Sequence, residues 1–270
     1  MTAPQALRPA ADVAVGARRA LLRLAATQSV HLGSSLSVVD ILVAVHGVMR
    51  LTPEDLTDPD RDRLILSKGH AVWALYAVLS ELGLLDLGPG RLLPGHPADG
   101  TPGVDAATGA LGHGLSIGAG LAMAARLHGR AHRTFVVLGD GELNEGSVWE
   151  AAMFAAHRRL GRLTAIVDVN GMQQEGRTAD VLDLAPLDDK WRAFGWNVAT
   201  VDGHDHAALT RCLPAAADGD RPTVVLARTV KGRGVSFMEH SAEWHVGSLT
   251  PDLLSTALRG LGDPAPVAHG

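Results

Sequence analysis
The chain has 270 residues, a length that fits one large domain or two small ones and allows a sizeable core without covalent staples. Its single Cys, Cys212, excludes a disulfide framework and a multi-Cys metal centre, and suits a reducing compartment. A net charge of -5 with no basic run, and five Trp, four Phe and one Tyr against 13 His, speak against nucleic acid and anionic membrane surfaces as partners. The N-terminus lacks a basic region followed by an apolar run, so a soluble cytoplasmic protein is expected. Ala106–Ala125 carries no Asp, Glu, Lys or Arg, but its five Gly with Thr108, His113 and Ser116 suit a buried loop and helix rather than a membrane span.

Residues 1–10, with Pro4 and Pro9, read as a loose tail. Apolar spacing predicts a helix over Asp12–Gln28, and Ser37 before Val38-Val39-Asp40-Ile41-Leu42 reads as the N-cap of a second. Asp62–Leu66 predicts a short buried strand ending at Ser67-Lys68-Gly69-His70, then a helix over Ala71–Leu82 that stops at Gly83. Residues 84–110, with Pro89, Pro94, Pro97 and Pro102, form a long loop of a kind associated with function or disorder. After an apolar Gly-rich helix (Gly112–Ala125), predicted strands over Thr134–Leu138, Leu163–Val169, Trp196–Val201 and Thr223–Ala227 alternate with helices over Ser147–Arg159, Asp188–Phe194 and His206–Ala217. A Gly-rich connection, Arg228–Leu249, leads to a last helix from Pro251. The alternation implies one α/β domain over 1–270, a mostly parallel sheet with helices on both faces.

Open parallel sheets bind ligands at the carboxyl ends of their strands. There the sequence offers Gly139-Asp140-Gly141-Glu142 after one strand and Asn170-Gly171-Met172 after the next. Taken singly, Asp-Gly and Asn-Gly are ordinary turns. Together, thirty positions apart and each at the end of an apolar strand, they place a carboxylate and an amide oxygen on one rim. Such a sparse set of hard ligands suits Mg²⁺ completed by phosphate and water. Gly139 and Gly141 would let backbone approach the phosphate, and the helix beginning near Glu145 would aim its N-terminus at it.

Gly139-Asp140-Gly141 followed by Asn170 resembles the thiamine diphosphate motif. The segments Leu64–His70, Thr108–Gly114 and Gly139–Ala156 resemble the transketolase family in particular, and the resemblance runs from about residue 12 to about 250. It implies a thiamine diphosphate-binding fold. It implies that Asp140, Asn170 and the Met172 carbonyl bind Mg²⁺, and that Gly141 and His70 contact the diphosphate. Gly109, Ala110 and Leu111 would lie against the cofactor near its aminopyrimidine. His31, His96 and His245 would line the substrate channel as catalytic groups, with His245 also touching the cofactor. Glu145 and Glu150 match acidic residues at the family's subunit interface.

A lone His is more often a satisfied structural residue than a catalyst. Here His31, His70, His96, His113 and His245 all sit within two residues of Gly or Pro in predicted loops, where functional groups gather. Ketol transfer develops negative charge on a carbonyl oxygen, to which imidazole can donate a hydrogen bond. His132, His157, His204 and His206 read as surface. His113 stands where relatives commonly carry Gln, so its role is open.

The length accommodates only the first of the three domains of a full transketolase. The glutamate that activates the aminopyrimidine, and the basic groups that hold a sugar phosphate, belong to the domains missing here. The resemblance therefore implies the N-terminal subunit of a split transketolase, a transferase active only with a C-terminal subunit carrying pyrimidine-binding and C-terminal domains, in an expected heterotetramer of two each. Its substrates would be a ketose phosphate donor and an aldose acceptor. Two other classes stay open: a related subunit delivering a C2 or acyl unit to a carrier thiol, and a non-catalytic scaffold. Intact Asp140, Asn170, His70 and His245 speak against the scaffold. The helices Gly112–Ala125 and Glu145–Ala156, with small Ala119, Gly120, Ala151, Ala152 and Ala155, are the expected contact surface for the partner, set against the alternative that their smallness serves packing on the sheet.

Overall fold
A computed structural model describes residues 8–88, 93–213 and 219–262. Five strands form one all-parallel sheet: β1 (Arg63–Leu66), β2 (Thr134–Gly139), β3 (Leu163–Val169), β4 (Asn197–Asp202) and β5 (Thr223–Arg228), in the order β1-β2-β3-β5-β4. Side chains alternate across the pleat and so build two cores. Phe135, Val137, Ile166, Val225 and Ala227 point into one. Val136, Leu138, Ala165, Val167, Val224 and Leu226 point into the other.

The first face is covered by α1 (Ala10–Ala25), α2 (Leu32–Val48), α3 (Val72–Glu81), α8 (His206–Cys212) and α9 (Pro251–Gly260). The second is covered by α4 (Gly114–Leu127), α5 (Gly146–His157) and α7 (Leu187–Ala193), with a short α6 (Thr178–Leu182) between β3 and α7. α2 is buried on all sides over most of its length, taking Ser34, Ser35, Ser37, Asp40 and His46 inside with its apolar residues, whereas α1 and α9 each keep a polar face. Among the described residues no helix is long and apolar enough to cross a membrane.

The predicted strands and helices are present within a few residues, with two departures. Ser37 is not an N-cap: α2 has His31 in the N-cap position, six residues earlier, and Ser37 is buried inside the helix with Oγ 2.6 Å from Asp168 Oδ2. Starting at Leu32 puts an extra turn of buried helix, Leu32 to Leu36, under the loops above the sheet. The second departure concerns the small residues of α4 and α5. Ala119, Ala151, Ala152 and Ala155 are buried in this chain's own second core, so their smallness serves packing on the sheet. Of the expected partner-facing set only Gly120 is exposed; the large apolar side chains exposed on these helices are Leu127, Met153 and Phe154. Residues 1–7 of the expected tail, residues 89–92 of the long loop, and the expected end of the helix after His206 lie outside the described residues.

Candidate active site
The carboxyl ends of β1, β2 and β3 and the connection after β5 converge on a cavity of about 310 Å³. β1 ends on Lys68 and His70, β2 on Asp140 and Gly141, β3 on Asn170 and Met172. His31 and Ser34 enter from the start of α2, His245 from the segment before α9, and Gly109 and Leu111 from the long loop. A larger open groove of about 660 Å³ shares only Asp140 with this cavity and is lined by none of these imidazoles.

Three imidazoles pack together. The ring centroids of His31, His70 and His245 lie 5.3, 5.4 and 5.7 Å apart. Burial, with Lys68 and the neighbouring imidazoles behind it, drives His70 down to about 2. Burial and the Lys231 ammonium hold His245 at about 4, and burial and His96 lower His31. All three rings are therefore neutral at pH 7.

The acidic side is equally enclosed. Burial and the neighbouring Asp168 push Asp140 up to about 6, against hydrogen bonds from Gly171 N (2.6 Å) and Gly141 N (2.9 Å). Gly171 reaches Asp140 by taking φ of +76°, a left-handed conformation natural to Gly. Asn170 Oδ1 accepts from Met172 N at 3.1 Å, which folds this turn so that the Asn170 side chain and Met172 line the same cavity.

The fit to a diphosphate and a divalent cation follows from this donor set. Asp140 is a buried carboxylate beside a second carboxylate, an arrangement that a cation relieves. Asp140, Asn170 and a main-chain carbonyl are hard oxygens with lone pairs left after their internal hydrogen bonds. Among the described residues no three His, Cys, Asp or Glu form a self-sufficient metal centre, so a cation here depends on the ligand's own oxygens, as Mg²⁺ on a phosphate does. At Gly141 a Cβ would stand 2.8 Å from Gln173 Cγ, which explains why the cavity wall carries Gly there.

Not every expected residue lines this cavity. Ala110 and His113 line a separate shallow depression that shares Gly109. His96 is exposed and stands one residue back, its ring packed against Gly109. Glu145 and Glu150 are exposed; their spacing of five is not the three or four that stacks side chains on one helix face. The segment at the rim after Asp140 is a single 3₁₀ turn, Gly141–Asn144; α5 begins beyond it at Gly146 with Glu145 as its N-cap residue, near where the sequence places a helix start, and its first turn does not line the cavity.

The histidines expected at the surface divide. His157 is exposed, but His132 is buried, and His204 and His206 flank the buried carboxylate of Asp40. His204 bridges two elements, with Nδ1 on Asp40 and Nε2 accepting from Val230 N, a role that a single loop position in a sequence does not reveal.

Sequence reasoning also missed two buried lysines. Lys68 pairs with Asp168 at 2.5 Å, and Lys231 donates to Gln173 O and His245 Nδ1, each at 3.0 Å. An ammonium has no acceptor, so His245 Nδ1 is unprotonated and its ring proton sits on Nε2. Lys231 follows β5 as Asp140 follows β2, and the rule of strand ends would have found it. Glu142 is buried too. It accepts from Ser67 Oγ, Gly112 N and Gly139 N, clamping three loops of the cavity wall together.

Residues 12–265 match the family model described as "Transketolase, thiamine diphosphate binding domain". The chain is 39% identical to a subunit of the apulose-4-phosphate transketolase of Phocaeicola vulgatus, over 86% of each chain. It is 42% identical to the 6-deoxy-6-sulfo-D-fructose transketolase subunit of a Clostridium species, over 86% of this chain and 88% of that one. Among solved structures, the transketolase of Leishmania mexicana superposes with a TM-score of 0.83 at 28% identity, over 95% of this chain and 42% of that one. The chain thus spans about two fifths of a solved full-length transketolase and most of the separately encoded subunits. With the strand-end cavity and its buried carboxylate, amide and imidazoles, these matches mean that the chain belongs to the transketolase family of transferases, as a subunit built on the thiamine diphosphate-binding domain.

Proposed function
We propose that this chain is the diphosphate-binding half of a split transketolase that moves a two-carbon ketol unit from a ketose phosphate to an aldose acceptor. The observation that carries the reading is the meeting of Asp140, Asn170 and Met172 with the neutral imidazoles of His31, His70 and His245 in one strand-end cavity. The printed names of the similar separate subunits support the ketol-transfer class. When bound, thiamine diphosphate supplies a nucleophilic carbon and an electron sink.

The chain's own residues do the rest. Asp140, Asn170 and the Met172 carbonyl would hold Mg²⁺, and Gly141 and His70 the diphosphate, with Gly109, Ala110 and Leu111 alongside the cofactor. A neutral imidazole can donate a hydrogen bond to the oxygen on which charge develops and can pass a proton, which is the role for His245 Nε2–H and for His31 and His96. Lys231 keeps the His245 proton on Nε2. The walls around the aminopyrimidine and its activating carboxylate come from a partner subunit, in a heterotetramer of two each, with Glu145 and Glu150 near the contact.

Calorimetric titration of the assembled complex with thiamine diphosphate and Mg²⁺ tests this. Asp140→Ala is expected to abolish retention of the cofactor with the fold intact, and Asn170→Ala to weaken it less because a neutral ligand is lost. Wild-type affinity in Asp140→Ala would overturn the assignment.

A further inference from the structure
The buried carboxylate of Asp40 lies on α2, away from the cavity lining. Arg18 of α1 meets it with two hydrogen bonds, of 2.5 and 3.2 Å. From the segment between β4 and α8, His204 Nδ1 lies 2.6 Å from Asp40 Oδ2, and His206, the first residue of α8, places Nε2 3.0 Å from Oδ1. Burial raises the Asp40 carboxyl, but His204, His206 and Arg18 together hold it well below the usual carboxylate range. It is therefore a fixed anion.

The second nitrogen of His204 has a single role: Nε2 accepts a hydrogen bond from Val230 N at 2.9 Å. Nε2 thus carries no proton, and Nδ1 donates to Asp40. The other side chain gripping Asp40 reaches the same loop, since Arg18 Nε donates to Arg233 O at 3.2 Å. Asp40 therefore orients two groups that hold the chain on either side of Lys231. Lys231 is fully buried and donates to His245 Nδ1.

We infer that His204, oriented by Asp40, is a positioning residue that fixes Val230–Lys231 and thereby sets the protonated nitrogen of His245. Its significance for catalysis rests on the ketol-transfer reading, whereas its effect on the His245 ring does not. His204 touches neither the cavity nor the proposed metal ligands, so its effect passes through backbone. The groups facing His245 are Lys231, His31, His70 and, at longer range, Lys68. Loosening Lys231 removes a nearby positive charge from that set.

The test compares two amide replacements in the full chain by NMR titration of the His245 ring. His204→Asn keeps a donor near Asp40 but is too short to accept from Val230. His204→Gln carries an acceptor at the Nε2 position. The expected result is that the His245 pKa rises by about 1 in His204→Asn as the cation moves off, and stays near the wild-type value in His204→Gln. In the assembled complex, kcat falls in His204→Asn with KM unmoved. An unchanged His245 titration in a folded His204→Asn, or an equal shift in both variants, overturns the inference. If neither variant folds, the wild-type chain decides: ring ¹⁵N shifts must show His204 protonated on Nδ1 and His245 on Nε2, and the opposite tautomer at either ring refutes it. These readings need no cofactor, so they stand or fall apart from the Asp140→Ala titration.

Discussion

At the scale of single residues, the chemistry turns on which groups carry charge. Burial keeps His70 and His245 neutral, at about 2 and about 4, whereas an unfolded chain protonates its His near 6.5. The unfolded state therefore binds more protons below pH 6.5. Stability should be insensitive to these groups above that pH and fall as the pH drops from 6.5 toward 4. Urea denaturation midpoints between pH 7.5 and 5 check this, and His245→Ala should flatten part of the slope. Catalytic readouts separate the imidazoles. Ala at His245 or His96 is expected to lower kcat/KM by about 10²–10⁴-fold, with cofactor affinity near normal at His96. Ala at His70 is expected to weaken cofactor binding itself. Loss of cofactor alone in all three would remove the substrate-channel assignment. Asp140, Asn170 and His70 were legible because each stands beside Gly at a loop or strand end, and His245 because it lies two residues from Gly247 in a predicted loop, where bare chemistry stands out. Lys68 and Lys231 were passed over although both stand just past strand ends, because a lysine in a sequence ordinarily reads as surface and its burial shows only in the fold.

At the scale of elements, small residues and clamps set the geometry. A Cβ at Gly118 of α4 would stand 2.3 Å from Val136 Cγ2 of β2, so Gly118 lets this helix lie directly on the sheet. Gly118→Ala should destabilise by about 1–3 kcal/mol through overpacking, seen as a lower urea midpoint. The cofactor site is carried by other elements, so affinity in the folded fraction should be retained. Glu142→Ala strips the acceptor from Ser67 Oγ, Gly112 N and Gly139 N. Unpaired buried donors cost about 1–3 kcal/mol each. This variant should lose both stability and cofactor affinity, because the three loops it joins are walls of the cavity. The strands were readable because a parallel sheet covered on both faces writes each strand as an uninterrupted apolar run, as in Phe135-Val136-Val137-Leu138. The start of α2 was not. Ser34, Ser35 and Ser37 mimic capping signals, yet they are buried within the helix, where Ser37 serves the polar network of Asp168 and Lys68.

At the scale of the whole molecule, the proposed function has the chain supply one side of a site. The cavity holds the hard-oxygen set and the imidazoles, and the chain spans most of the length of separately encoded transketolase subunits but about two fifths of a full-length transketolase. Which faces meet a partner was less legible than the cavity. The Ala-rich stripes of α4 and α5 face the chain's own sheet, and an exposed stripe and a buried one share the same composition. The most direct measurement is ketol transfer from a ketose phosphate to an aldose phosphate with thiamine diphosphate and Mg²⁺, for this chain by itself, its partner by itself, and the two mixed. The account predicts turnover only in the mixture, rising with partner concentration to saturation. Turnover by this chain without its partner at about 1 s⁻¹ or faster would contradict it.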